Sequence, residues 1–286
     1  MTRTCHLRLP TLLVGALVAA SCNSAPNQSS APLPRHPATA PAGGARFPQD
    51  TGCSGTAPLA TNADWERQVI ELVNQERRAN GLPPLKHEPS LTDAARWYAK
   101  DMVDDDYFGP GHDTYDRSGG SLVRVCAWSA RVGAFYPGGG ALGENVADDY
   151  SSPQEAVAGW MRSSGHRANI LNGDYRETGV GYRAGPSHGH RWVQDFGRRR
   201  GIYPVVINDE AASTDRRFVN LYVYGSWSEV RLRNDGAAFG PWQPFTHTLP
   251  WTLAGVDGLR TVDVEMRRRS TTVTASDTIA LSLSCR

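Results

Sequence analysis

Residues 151–171 read SSPQEAVAGWMRSSGHRANIL, and this stretch decides how the fold is read. Ser152 precedes Pro153, and Glu155 stands three residues after the serine. This is a helix start: the serine caps a free backbone N–H, proline fits the first turn, and glutamate completes the box. Ala156, Val157, Trp160 and Met161 then share one helical face. Gly165 is expected to end that helix, with a short helical turn over HRANIL following. Further along, Gly179–Tyr182 and Arg191–Phe196 flank the turn-rich segment AGPSHGH, which signals a hairpin. Upstream, GENVA (143–147) reads as a strand or strand edge. Two helices precede it. Trp65, Val69, Leu72 and Val73 line the first, which stops at Asn80-Gly81 before Pro83-Pro84. The second starts at Ser90 with Asp93 three residues on, and Leu91, Ala95, Tyr98 and Met102 form its stripe. Helices followed by antiparallel strands give an α+β layered domain, placed at 53–200.

Beyond Gly197 the period changes from helical to two. Val219, Leu221 and Val223, then Val230 and Leu232, then Val262, Val264 and Met266, then Ile279, Leu281 and Leu283 each alternate with other, mostly polar residues. Alternation with turn clusters such as Asn234-Asp235-Gly236 between the runs predicts half-buried antiparallel strands and a small β-sandwich over 203–286. At the other end, Arg3 and Arg8, the apolar run Leu12–Ala20 and the small residues before Cys22 read as an export signal. Its apolar run is too short to span a bilayer. The segment 1–22 resembles a bacterial lipobox, which implies a lipid on Cys22 and a membrane anchor, although Ala19 stands where a leucine is usual. Cleavage and free secretion is the alternative. Residues 23–52, rich in Ser, Ala and Pro, bury too little apolar surface to fold and form a tether. The net charge of +1 on 286 residues provides no strong field for nucleic acid or an anionic membrane, and the runs Arg198–Arg200 and Arg267–Arg269 are read as solvated faces.

Export permits disulfides. Cys53 and Cys126 flank the first domain and are paired first, while a bond from either to Cys285 stays open. The chemistry-bearing set is His112, Glu144 and His166. An imidazole carries a proton or offers a lone pair near neutral pH, and a carboxylate orients it. Three readings follow. The histidines hold a divalent metal such as zinc, with Glu144 orienting a ring. Alternatively, the trio performs acid–base hydrolysis of a peptide or ester. In the third, it is a hydrogen-bonded network that fixes loops. Ser163 beside His166 is a helix-end hydrogen-bonder before it is a nucleophile, since no oxyanion site is visible. His87, His188 and His190 are read as surface or turn residues, and Asp104–Asp106 as a solvated helix end.

Asn74-Gln75-Glu76-Arg77 with GLPPL (81–85), GENVA (143–147), AVAGWM (156–161), SGHRANIL (164–171), GVGY (179–182) and WVQDFG (192–197) resemble, in order and spacing, the bacterial branch of the CAP superfamily of cysteine-rich secretory, antigen 5 and pathogenesis-related type proteins. The resemblance covers residues 64–197. It implies an α-β-α sandwich with a cleft lined by two histidines and two acids. His112, Glu144 and His166 fall on three of these positions. The second acid falls near Ser163, a departure, and Phe108 lies four residues ahead of His112 where the family has an aromatic two ahead. The resemblance also implies an extracellular or cell-surface protein that binds lipid, sterol, cell-envelope glycan or partner proteins rather than catalysing. The last domain is similar to immunoglobulin-like or fibronectin-like repeats of exported proteins, which implies adhesion or scaffolding. Phe239 and Trp242 after its NDG turn are read as core or edge aromatics, with a sugar-stacking surface as the alternative.

Overall fold

A four-stranded sheet separates two layers of helices. The computed structural model describes residues 53–108, 111–117, 120–185 and 189–283. The export signal, the tether, Cys22, His188 and Cys285 lie outside the described residues. In space the strands run β1 (Lys86–His87), β5 (Glu177–Ala184), β6 (His190–Arg199) and β4 (Gly139–Asp148), so GENVA lies on an edge strand. On one face pack α1 (Ala63–Ala79), α4 (Pro153–Arg162) and α5 (Ser164–Ile170), through Val69, Val73, Trp160 and Ile170 against Tyr182, Trp192 and Phe196. On the other lie α2 (Pro89–Asp104) and α3 (Trp128–Phe135), with Ala95, Tyr98 and Met102 against Val146 and Val193. Between α2 and α3, β2 (Thr114–Asp116) pairs with β3 (Val123–Cys126). A disulfide joins Cys53 to Cys126, 73 residues apart, with Cα atoms 5.3 Å apart.

Several of the motif residues serve the fold. Asn74 donates to Leu85 O (2.9 Å) and accepts from Leu85 N–H (2.7 Å), closing the turn after α1 as a strand partner would. Arg77 is fully buried and donates to the carbonyls of Pro83 (2.8 Å), Ile170 (2.7 Å) and Asn172 (2.9 Å). The glycines of GVGY let α2 lie directly on β5. A β-carbon on Gly179 would strike the backbone at Leu91–Thr92, and one on Gly181 the backbone at Ala95–Arg96.

Several boundaries differ from the expectation. The helix expected to end at Gly165 ends at Arg162, because Ser163 is extended (φ −87°, ψ 123°) and serves both helices. Its N–H closes α4 on Trp160 O (3.1 Å), and its carbonyl receives Arg167 N–H (2.9 Å), opening α5 with Gly165 inside it. The second helix begins at Pro89 rather than Ser90, because the Glu88 carboxylate accepts from both the backbone N–H (3.4 Å) and hydroxyl (2.8 Å) of Ser90. His87 is not a surface residue: Nε2 lies 2.9 Å from Thr92 Oγ1, and burial, aided by the positive charge of Lys86, pushes its pKa down to about 3. His190 belongs to β6, with Nδ1 2.6 Å from the Tyr182 hydroxyl. Arg199 departs from a solvated face, since it bridges Glu88 and Glu177, both with 2.5 Å contacts.

After β6 the chain builds two further sheets. One has the order β12 (Thr248–Thr252), β9 (Phe218–Val223), β7 (Val205–Ile207). The other runs β11 (Gln243–Pro244), β10 (Glu229–Asn234), β13 (Gly258–Arg268), β14 (Thr271–Leu281), β8 (Ser213–Thr214). The alternating residues Val219, Leu221, Val223, Val230, Leu232, Val262, Val264, Met266, Ile279 and Leu281 fill one core between them. Leu283 lies past the last strand and is exposed. On the outer side, Phe239 and Trp242 lie over the guanidiniums of Arg231, Arg233 and Arg267, with centroid distances of 4.1–4.9 Å. The two aromatics are thus edge residues covering arginines. The second core is fastened to the first layer by a short turn, Asn208–Glu210, whose three φ angles are all positive. Asp209 O accepts from Asn74 Nδ2 (3.0 Å), and Glu210 accepts from Lys86 Nζ (2.8 Å) and His87 N–H (3.1 Å). Tyr224 donates its hydroxyl to Pro84 O at 2.9 Å.

Candidate functional site

The edge position of β4 brings the two helix layers together around one strand. From the α2–α3 side, the loop after α2 delivers His112, held by its neighbour: Asp113 Oδ1 accepts Trp128 N–H at the start of α3 (3.0 Å). From the other side, α5 delivers His166. Glu144 stands between them on β4 with 1 % of its side chain exposed.

His112 Nδ1 lies 2.8 Å from Glu144 Oε1. An ionised carboxylate only accepts, so the Nδ1 hydrogen faces Glu144 and Nε2 is turned away from it. Arg131 of α3, with none of its side chain exposed, binds Glu144 Oε2. Its guanidinium sits 3.6 Å above the Tyr98 ring. Burial works to lower the Arg131 pKa, but the Glu144 carboxylate, the largest opposing group, outweighs it, so the arginine stays charged. His166 is pushed down, first by burial and then by the positive charge that His112 can carry, so its ring tends to be neutral.

Two asparagines lock the strand to α5. Asn169 Nδ2 donates to Glu144 O (3.0 Å) and to Asn145 Oδ1 (3.0 Å), and Asn145 Nδ2 donates to His166 O (3.2 Å). The Tyr175 hydroxyl donates to Leu142 O (3.0 Å) two residues earlier on the same edge. The asparagines of GENVA and HRANIL therefore hold the carboxylate and the second imidazole in register.

The sequence expectation grouped His112, Glu144 and His166; the structure bonds the His112 ring to Glu144 and ties the His166 backbone to Asn145, the next residue of the strand. Ser163 lies at the α4–α5 junction, and no hydrogen bond joins it to His166. Neither Arg131 nor Asp195 was singled out from sequence. Arg131 lies in WSARVGAF, which has no motif. Asp195 left a faint signal as a charged residue in the buried run Trp192–Phe196 of a central strand.

For the metal reading, Glu144 orients the His112 ring as expected but is not itself a ligand. Both oxygens of Glu144 are committed, one to an imidazole and one to a guanidinium. Among the described residues no three His, Cys, Asp or Glu side chains gather as a metal-holding group. Two imidazoles alone fall short of the three protein ligands of a catalytic zinc site, so no step is assigned to a metal.

Residues 70–196 match the cysteine-rich secretory protein family, CAP. The chain is 35% identical over 148 residues to the uncharacterized protein YkwD of Bacillus subtilis, covering 52% of each chain. It is 33% identical over 116 residues to the uncharacterized membrane protein YlbC of the same organism, covering 41% of this chain and 31% of that one. The chain thus spans about half the length of the first relative and a third of the second. A crystal structure of an extracellular protein containing an SCP domain from Bacillus anthracis is 29% identical, covering 51% of this chain and 45% of that one, with a TM-score of 0.41.

Proposed function

We propose, from the premise that residues 70–196 carry a CAP domain of bacterial type, that this domain is an extracellular or cell-surface binding module. Its ligand is a cell-envelope glycan held over the edge of β4. One observation carries the reading. The chain Arg131–Glu144–His112 fixes one imidazole with its Nδ1 hydrogen turned inward, which turns its Nε2 outward. His166 adds a second ring whose burial favours the neutral form. Imidazole nitrogens exchange hydrogen bonds with hydroxyl and amide groups, in which glycans are rich, and offer little to a lipid chain.

Hydrolysis is not favoured by the arrangement. Ser163 has no base bonded to it, and Glu144 is held by two partners rather than poised over a water. The signal-like segment at residues 1–22 and the Cys53–Cys126 disulfide support an oxidising, external location. On this reading the two C-terminal sheets form an Ig-like sandwich that presents the CAP domain rigidly. A lipid on Cys22 would tether both to a membrane.

The test is retention of the full chain on purified cell-wall glycan, with lipid vesicles as the competing surface. His112→Ala is expected to weaken glycan retention about tenfold, the worth of one oriented hydrogen bond. Equal retention of wild type, His112→Ala and His166→Ala, or retention on vesicles alone, sinks the proposal.

A further inference from the structure

Beneath the β4 edge lies a buried acid with no hydrogen-bond donor of its own. Asp195 pairs in register with Glu144 across β4 and β6, and both side chains face α2 and α3. It is fully buried, and neither carboxyl oxygen accepts a hydrogen bond from an N–H or O–H donor. What stands beside it across the ladder is the carboxyl of Glu144, its register partner. Two acids buried side by side around one guanidinium do not both ionise, so one of them keeps its proton.

Charge balance identifies which one. The groups around the pair are Glu144 on β4, Arg131 on α3, Tyr98 on α2 and His112 on the loop. Tyr98 is held in its neutral form, first by burial and then by the charge of Glu144. One buried guanidinium balances one carboxylate. Glu144 receives both Arg131 and His112 as donors, so it is the ionised member. Asp195 receives neither. Burial, reinforced by the charge of Glu144, holds its carboxyl well above the ordinary range.

We infer that Asp195 is a positioning residue of the cleft: as the neutral acid it donates its proton to Glu144, and the column Asp195–Glu144–His112 fixes the ring that meets the ligand. The inference deepens the binding role given to His112 and rests on it for its purpose, but not for its chemistry. Three donors converge on one carboxylate, so Glu144 cannot rotate away from His112. The Arg131–Glu144 pair stays neutral overall, and no second negative charge lies beneath it.

Two measurements on the full chain test this. Infrared difference spectra at pH 7, wild type minus Asp195→Asn, are expected to show the carbonyl stretch of a protonated carboxylic acid. The absence of that band overturns the inference. Proton NMR of the His112 Nδ1 hydrogen gives the second readout. Asp195→Asn supplies an amide donor and is expected to leave this resonance in place. Asp195→Leu supplies none, makes Glu144 a stronger acceptor and is expected to move the resonance downfield. An unmoved resonance in a folded Asp195→Leu overturns the positioning role, and should that variant fail to fold, the infrared spectrum still decides. Neither readout involves a ligand, so failure here is distinct from failure of the glycan assay.

Discussion

Arg131 is a cation with no exposed side-chain surface, and its partner Glu144 is nearly as buried. Removing one member of such a pair leaves the other charge uncompensated, at a cost of about 3–5 kcal/mol. Arg131→Met is therefore expected to lose about that much in urea unfolding at pH 7, far more than an exposed substitution would. A loss below about 1 kcal/mol would show that Glu144 is adequately held by other groups. The residue types of the visible trio were legible because histidines and an acid in turn-rich sequence stand out. Their support was not. Arg131 sits in a short helix whose composition is unremarkable, and Asp195 becomes unusual only once strand pairing sets it against Glu144. A buried ionic network is defined by neighbours in space, which a linear pattern does not record.

Among the elements, the contact of α2 with β5 depends on the missing side chains of Gly179 and Gly181. Gly181→Ala is expected to force the helix off the sheet and cost about 3 kcal/mol, at the upper end for overpacking. Thermal melts followed by circular dichroism would show it, and an unchanged midpoint would mean that α2 can shift freely. Asn74→Ala would leave the N–H and carbonyl of Leu85 without the bonds they now make, at about 2 kcal/mol. The long amphipathic helices and the alternating strands were readable because periodicity reports which face is buried. The places where the reading slipped are local hydrogen-bond choices. Ser163 ends one helix and starts another, and a glutamate rather than Ser90 caps α2. The short strands β1, β2 and β3, together with α3, carry too few residues for any period to show.

For the whole molecule, the loop closed by the disulfide is long. Opening it, as Cys53→Ser with Cys126→Ser, is expected to cost about 4 kcal/mol for a separation of 73 residues. Denaturation with and without reductant measures this. Attachment of the C-terminal sheets adds a pH dependence. Burial, reinforced by Asp277 and opposed by Lys86, pushes the Glu210 carboxyl up from its ordinary 4.5 to about 7. The folded chain then holds this proton more tightly than the unfolded chain. Its contribution is full below about pH 4.5 and is lost as pH rises through about 7. Calorimetry should show wild type losing ground to Glu210→Gln across that window, and parallel curves would contradict it. A last consequence belongs to β4. A bare sheet margin invites another chain to zip onto it and so begins fibre growth. Here the outward carbonyls at Leu142 and Glu144 are already taken by a phenol and an amide. Two acceptors in the middle of this margin are thereby withdrawn from self-templated polymerisation.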